Sequence, residues 1–201
     1  MMSEEARTAL AKLRAGNRRF AEGKTLHAHQ SNDWRRHLIG SQKPIATLIG
    51  CSDSRVPPEL VFDQGLGDLF VIRVAGNVVA PDVVGSLAYA LEHLKTPLVV
   101  VLGHQNCGAV TATVEAMADP NIREIPTVRS LLSLIEPGLK NLDVRLPIEK
   151  RIAAAVESNV RWSLRQLADH PACKKLLAEE EGILAGGVYE LSTGLVRLLD
   201  D

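Results

Sequence analysis

The stretch "TPLVVVLGHQNCGAV", residues 96–110, decides the fold. Leu98, Val99, Val100, Val101 and Leu102 are apolar without a break. A strand with one wet face alternates apolar and polar residues. An unbroken run predicts a strand covered on both faces, as in a parallel sheet with helices on either side. Gly103 ends the run, and "GAVTATVEAM" opens a helix at Gly108. His104 and Cys107 therefore stand where strand gives way to helix.

Working outward, "PIATLIG" (44–50) and "DLFVIRV" (68–74) read as two further strands. Pro81 and Asp82 start a helix with Val84, Leu87, Ala88 and Leu91 on one face. Alternating strands and helices predict an α/β fold with a mostly parallel central sheet flanked by helices. Downstream, "TVRSLLSLIEPG" reads as a short helix stopped by Pro137 and Gly138. "PIEKRIAAAVESNVRWSLRQLADHP" reads as a long one, with Ile148, Ile152, Val156 and Leu167 inward and Pro171 as the stop. "GGVYELSTGLVRLL" predicts a hairpin around Ser192, Thr193 and Gly194 that adds an antiparallel edge strand.

Upstream, Leu10, Leu13 and Phe20 fall at helix spacing, with Asn17 as a polar lapse and Gly23 as the end. This helix reads as an arm suited to packing on a partner subunit. Residues 24–42, with His27, His29 and His37, read as loop and short helix. The expectation is one domain over 1–201, with a helical arm over 1–42 and an α/β body over 43–201.

Composition narrows the function. Of 201 residues, 46% are hydrophobic and 23% charged, with a formal net charge of −1, which gives no basic groove for nucleic acid or an acidic membrane surface. Aromatics at 3% argue against a stacking platform for single strands. No apolar run reaches membrane-spanning length, and "MMSEEARTALAKLRAGNRRF" lacks the apolar segment of a signal peptide, so the chain reads as cytoplasmic. Three cysteines make a poor disulfide framework; in a reducing compartment they are thiols or metal ligands.

Cys51 follows strand 44–50 as His104 and Cys107 follow strand 98–103. If those strands are neighbours, the three side chains converge outside the carboxyl ends of a parallel sheet, where such folds bind ligands. Thiolate and imidazole are zinc's preferred donors, and three protein ligands leave a fourth position open, as in catalytic sites. A helix opening at Cys107 and Gly108 brings its positive end to a thiolate and lowers its pKa. Asp53 can accept a hydrogen bond from water on the metal, and Arg55 can grip that carboxylate and keep it ionised. Cys173 has no His or Cys in ligand spacing and reads as structural. His27, His29, His37, His93 and His170 read as surface or packing residues.

"CSDSR" (51–55) followed by "GHQNCG" (103–108), with "GDLFVIRVAGN" (67–77) between them, resembles the β-class carbonic anhydrases along essentially the whole chain. The resemblance implies an enzyme, a lyase, that interconverts carbon dioxide and bicarbonate with one zinc ion per chain and works as a homodimer or homotetramer. It implies Cys51, His104 and Cys107 as zinc ligands, with Asp53 and Arg55 as the catalytic dyad. Gln42, in "GSQKP", matches a glutamine that reaches substrate, often across the dimer interface. Phe70, Val78 and Tyr89 lie where the family lines its apolar pocket, and Gly108 joins them on the substrate side. Some members carry a regulatory bicarbonate site built on a Trp, an Arg and a Tyr. Arg73 and Tyr189 are present here, but the Trp position is Leu48, which has no N–H to donate.

Three rivals stand beside this reading. A hydrolase of the same architecture would act on carbon disulfide or carbonyl sulfide with the same ligands. A thiol enzyme would use Cys51 as nucleophile, but the interval to Arg55 is too short for a phosphate cradle. A structural zinc module would need a fourth ligand, for which Cys173 is the only spare cysteine.

Overall fold

A computed structural model describes residues 3–119, 121–179 and 182–199. In chain order it has α1 (Glu4–Ala21), α2 (Asn32–His37), β1 (Ala46–Gly50), α3 (Pro58–Val61), β2 (Leu69–Arg73), a 3-10 turn (Ala75–Asn77), α4 (Pro81–His93) and β3 (Leu98–His104). There follow α5 (Gly108–Ala118), α6 (Pro126–Leu139), α7 (Ile148–Asp169), α8 (Pro171–Glu179), β4 (Ile183–Tyr189) and β5 (Val196–Leu199). The sheet order is β2-β1-β3-β4-β5. The first four strands run parallel, and β5 returns antiparallel to β4, as the hairpin reading requires.

β3 is buried along its whole length, which is why its sequence shows no alternation. Val99 and Val101 join an apolar cluster with Leu87 and Leu91 of α4, Ile135 of α6 and Val156 and Val160 of α7. Leu98, Val100 and Leu102 face the other way, onto Ala9 and Leu13 of α1 and Val61 and Phe62. Each fully buried Leu or Val contributes about 1.5–3 kcal/mol. Gly103 is where α7 presses closest: a Cβ there would lie 2.5 Å from a methyl of Val160.

α1 packs on its own sheet. Its polar lapse, Asn17, is only 4% exposed. The side chain donates to the Val61 and Gly194 carbonyls at 3.0 and 2.9 Å and accepts from the Val196 amide at 2.8 Å. Within its own chain α1 thus buries Ala9, Leu13 and the Asn17 amide.

Several local expectations are corrected. Pro137 and Gly138 do not stop α6, which runs through them to Leu139. Gly138 has a packing role: it lets Trp162 of α7 approach where a Cβ would meet its ring carbon at 2.8 Å. Pro171 opens α8 as well as ending α7, using proline's preference for the first helical position. Ile148 is 43% exposed at the first turn of α7 rather than inward. On α4 the buried face is Val83, Leu87, Ala90 and Leu91, with Val84 and Ala88 at its margin.

Candidate metal centre

β1 and β3 are neighbours, with Gly50 opposite Leu102. Cys51 is the residue after β1, His104 ends β3, and Cys107 is the N-cap of α5. Their ligand atoms lie within 4.8 Å of one another, and all three residues are buried. The two sulfurs are 3.9 Å apart and the cysteines are free thiols. Two thiolates on one tetrahedral ion, each about 2.3 Å from it, are separated by about 3.8 Å.

Three further features fit a cation. His104 Nδ1 lies 3.0 Å from the Gln105 carbonyl. Nδ1 donates there, so the lone pair is on Nε2, which is buried with no hydrogen-bond partner. Cys51 is drawn down to about 4 by the Cys107 thiol, against the cost of burial and with help from His104 and the Gly76 amide. Cys107 is pushed up by the Cys51 sulfur beside it and by burial. One negative charge is thus easily held, and a second beside it calls for a positive ion. Nε2 and the two sulfurs are a donor set suited to zinc.

Asp53 flanks this cluster. Its Oδ1 accepts from Arg55 Nε and from the Arg55 backbone amide, each at 2.9 Å, and its Oδ2 accepts from Arg55 Nη2 at 2.8 Å. These Arg55 bonds hold the carboxyl well below the usual carboxylate range, against some burial. Oδ2 is 3.8 Å from His104 Nε2, too far for a hydrogen bond yet adjacent to the same small space. An ionised carboxylate so placed accepts protons' hydrogen bonds and donates none.

The matching family model is described as "Carbonic anhydrase" and covers residues 46–196. "Carbonic anhydrase 2" of Mycobacterium tuberculosis is 52% identical over 94% of this chain and 90% of its own length. The chain belongs to the β-class carbonic anhydrases. Two solved structures of that class agree along the chain. The β-carbonic anhydrase CcaA superposes with a TM-score of 0.78 at 30% identity, covering 95% of each chain. One of two tetrameric β-carbonic anhydrases from Sordaria macrospora gives 0.76 at 27% identity, over 97% and 96%.

The residues expected on the substrate side of this carbonic anhydrase divide. Val78 is buried in the same apolar cluster as Cys51 and Cys107. Gly108 is exposed at the first turn of α5, where a Cβ would meet nothing within 4 Å. The other three lie elsewhere. Gln42 is exposed ahead of the 5-residue β1, so about 16 Å of strand separates it from Cys51. Phe70 sits opposite Thr47 on the edge strand β2, about 13 Å short of Cys51 along the strand. Tyr89 is 48% exposed on α4, its ring 6.2 Å from that of Phe70.

Sequence reasoning missed what supports the site from behind. Arg73 donates from Nε to the Cys51 carbonyl at 3.0 Å and from Nη2 to the Asp53 carbonyl at 2.6 Å. Gly76 donates its amide to Cys51 Sγ at 3.3 Å. Gln105 ties the His104 loop to the C-terminal hairpin, donating its amide to the Tyr189 carbonyl at 2.8 Å and accepting from Ser192 N at 3.2 Å. The left-handed turn that "AGN" invites at Gly76 was the one visible signal. Leu48, at the position the resemblance gives to the regulatory-site Trp, is fully buried in the α1-side apolar cluster that also contains Tyr189.

Proposed function

We propose that this enzyme catalyses the reversible hydration of carbon dioxide to bicarbonate and a proton, with zinc held by Cys51, His104 and Cys107. The observation that carries the reading is the Asp53 carboxylate, fixed by Arg55 and 3.8 Å from the unpartnered His104 nitrogen. Zinc at such a site supplies Lewis acidity that makes hydroxide available near neutral pH. Asp53, kept ionised, accepts the nucleophile's proton in a hydrogen bond and so turns a lone pair toward the substrate. Arg55 keeps that acceptor charged and aimed. Val78 gives the uncharged substrate an apolar wall, and the first-turn amide at Gly108 is a donor for the oxygen that gains charge.

Gln42, Phe70 and Tyr89 fit this scheme as contributions to the site of a second copy, which makes a homodimer or homotetramer the working unit. The tetrameric Sordaria structures support that assembly. We also place the enzyme in the cytoplasm, where free buried thiols are stable. Nothing favours carbon disulfide or carbonyl sulfide as substrate.

Stopped-flow carbon dioxide hydration on protein of known zinc content tests the proposal. Fast turnover that disappears on zinc removal and returns on zinc addition is expected. Stoichiometric zinc with no hydration overturns it.

A further inference from the structure

We infer that Asn159 on α7 is a positioning residue for the metal site, acting through the backbone of Gly76. The inference rests on the reading of Cys51 as a metal ligand. Gly76 sends its amide to Cys51 Sγ at 3.3 Å, and its carbonyl accepts from Asn159 Nδ2 at 2.8 Å. The next residue is held by the same helix. Ser163 Oγ donates to the Asn77 carbonyl at 3.0 Å and lies 3.4 Å from Asn77 Nδ2. Asn159 and Ser163 are four residues apart, so they share a helix face. They are 1% and 0% exposed.

The turn needs holding. Gly76 and Asn77 have φ of 67° and 45°, and the second is not a glycine. Such backbone persists only where the surroundings over-determine it. Ile135 of α6 backs the turn so closely that a Cβ on Gly76 would lie 2.7 Å from its terminal methyl. Packing alone blocks movement in one direction. The Asn159 amide holds the peptide that follows Gly76. That constrains the left-handed φ and ψ of Gly76, and through them the preceding peptide, whose N–H meets the sulfur.

Asn159 is a poor choice for filling space. Its Oδ1 is buried without a partner, a cost that a leucine of similar size would not carry. Its bond to Gly76 is what sets it apart from an apolar core residue. An N–H donated to a ligand sulfur withdraws charge from it and fixes its lone pairs. Partners behind metal ligands typically change metal affinity by about 10–100-fold.

The test compares full-length wild type with Asn159→Leu and Ser163→Ala. Zinc affinity is read by competition with a chromophoric chelator, and the sulfur-to-metal charge-transfer band is read in the cobalt-substituted proteins. Urea unfolding runs alongside. In Asn159→Leu, zinc binds about tenfold more weakly. The charge-transfer band moves to lower energy, because a sulfur without its N–H donor gives up electrons more easily. Altered unfolding with unchanged affinity and band makes Asn159 merely structural and overturns the inference, while the zinc reading stands. Wild type that binds no zinc overturns the zinc reading, and the inference with it. Should Asn159→Leu fail to fold, Ser163→Ala loosens the same turn through Asn77 and is judged on the same two readouts.

Discussion

Arg73 and Asp53 meet through backbone rather than through charge: the guanidinium donates to the Asp53 carbonyl at 2.6 Å, while its Nε takes the Cys51 carbonyl at 3.0 Å. One planar fork therefore fixes the peptides that follow Cys51 and Asp53, and the spacing of thiol and carboxylate with them. A lysine is a point charge and cannot span both carbonyls. Arg73→Lys should lower kcat for carbon dioxide hydration by about tenfold, since small misplacements near the chemistry are costly. It should leave zinc content unchanged. Equal kcat in the two proteins would remove Arg73 from the positioning scheme.

Much of this was legible because the decisive residues are local. Cys51, His104 and Cys107 are each fixed by the end of a strand or the start of a helix, and periodicity locates those ends. β3 announced its two covered faces through Leu98–Leu102. Other features were hidden because they depend on contacts distant in sequence. Asn17 looked like a lapse in an apolar stripe, yet it bonds across 177 residues to Gly194. Arg73 ends an apolar strand and gives no sign that it will cap two carbonyls of another strand's loop. Ile148 has the spacing of a core residue, yet at the first turn of α7 it is 43% exposed. Pro137 removes the bond that its N–H would give the Ser133 carbonyl, but α6 has only two residues left to run, so the break and the natural end nearly coincide.

The three cysteines should separate cleanly. Cys107→Ser replaces the proposed thiolate ligand with a hydroxyl that zinc binds poorly, so metal and hydration activity should fall together. Cys173 is fully buried on α8, its thiol pushed up by burial alone, and it lies outside the metal-ligating group. Cys173→Ser should therefore retain zinc and turnover, at a modest cost in stability. Metal analysis of both variants decides it; a Cys107→Ser protein with full zinc contradicts the ligand set.

Asp63 predicts an acid-sensitive contribution to stability. Burial pushes its carboxyl up, but Arg19 Nε at 2.6 Å and the Leu26 and His27 amides outweigh that, and the net shift is downward. A carboxyl lowered by folding stabilises the native state fully above its unfolded value, about 4. That contribution is lost as pH falls through the folded value. Asp63→Asn should cost about 1.5–3 kcal/mol at pH 7, the range for hydrogen bonds to a charged group. The difference from wild type should shrink below about pH 4. Paired urea titrations from neutral to acid pH read this directly, and a gap independent of pH would mean that Asp63 acts by shape alone.

Gln42 offers the sharpest test of a shared site. It is exposed ahead of β1, on the far side of that strand from Cys51, so within its own chain it cannot reach the proposed metal ligands. If it serves a second copy, Gln42→Ala and Cys107→Ser damage different subunits of a mixed dimer. Each variant alone should show hydration reduced at least about tenfold, since a donor to developing charge is commonly worth that much or more. Mixing the two under subunit exchange should restore activity. In the hybrid, the chain with an intact metal site receives Gln42 from its metal-free partner. Restoration should approach half the wild-type rate per hybrid dimer, because one of its two sites is complete. Activity that merely averages the two parents, after exchange has been verified by mass-tagged subunits, would place Gln42 outside the partner's site and leave each chain's site self-contained.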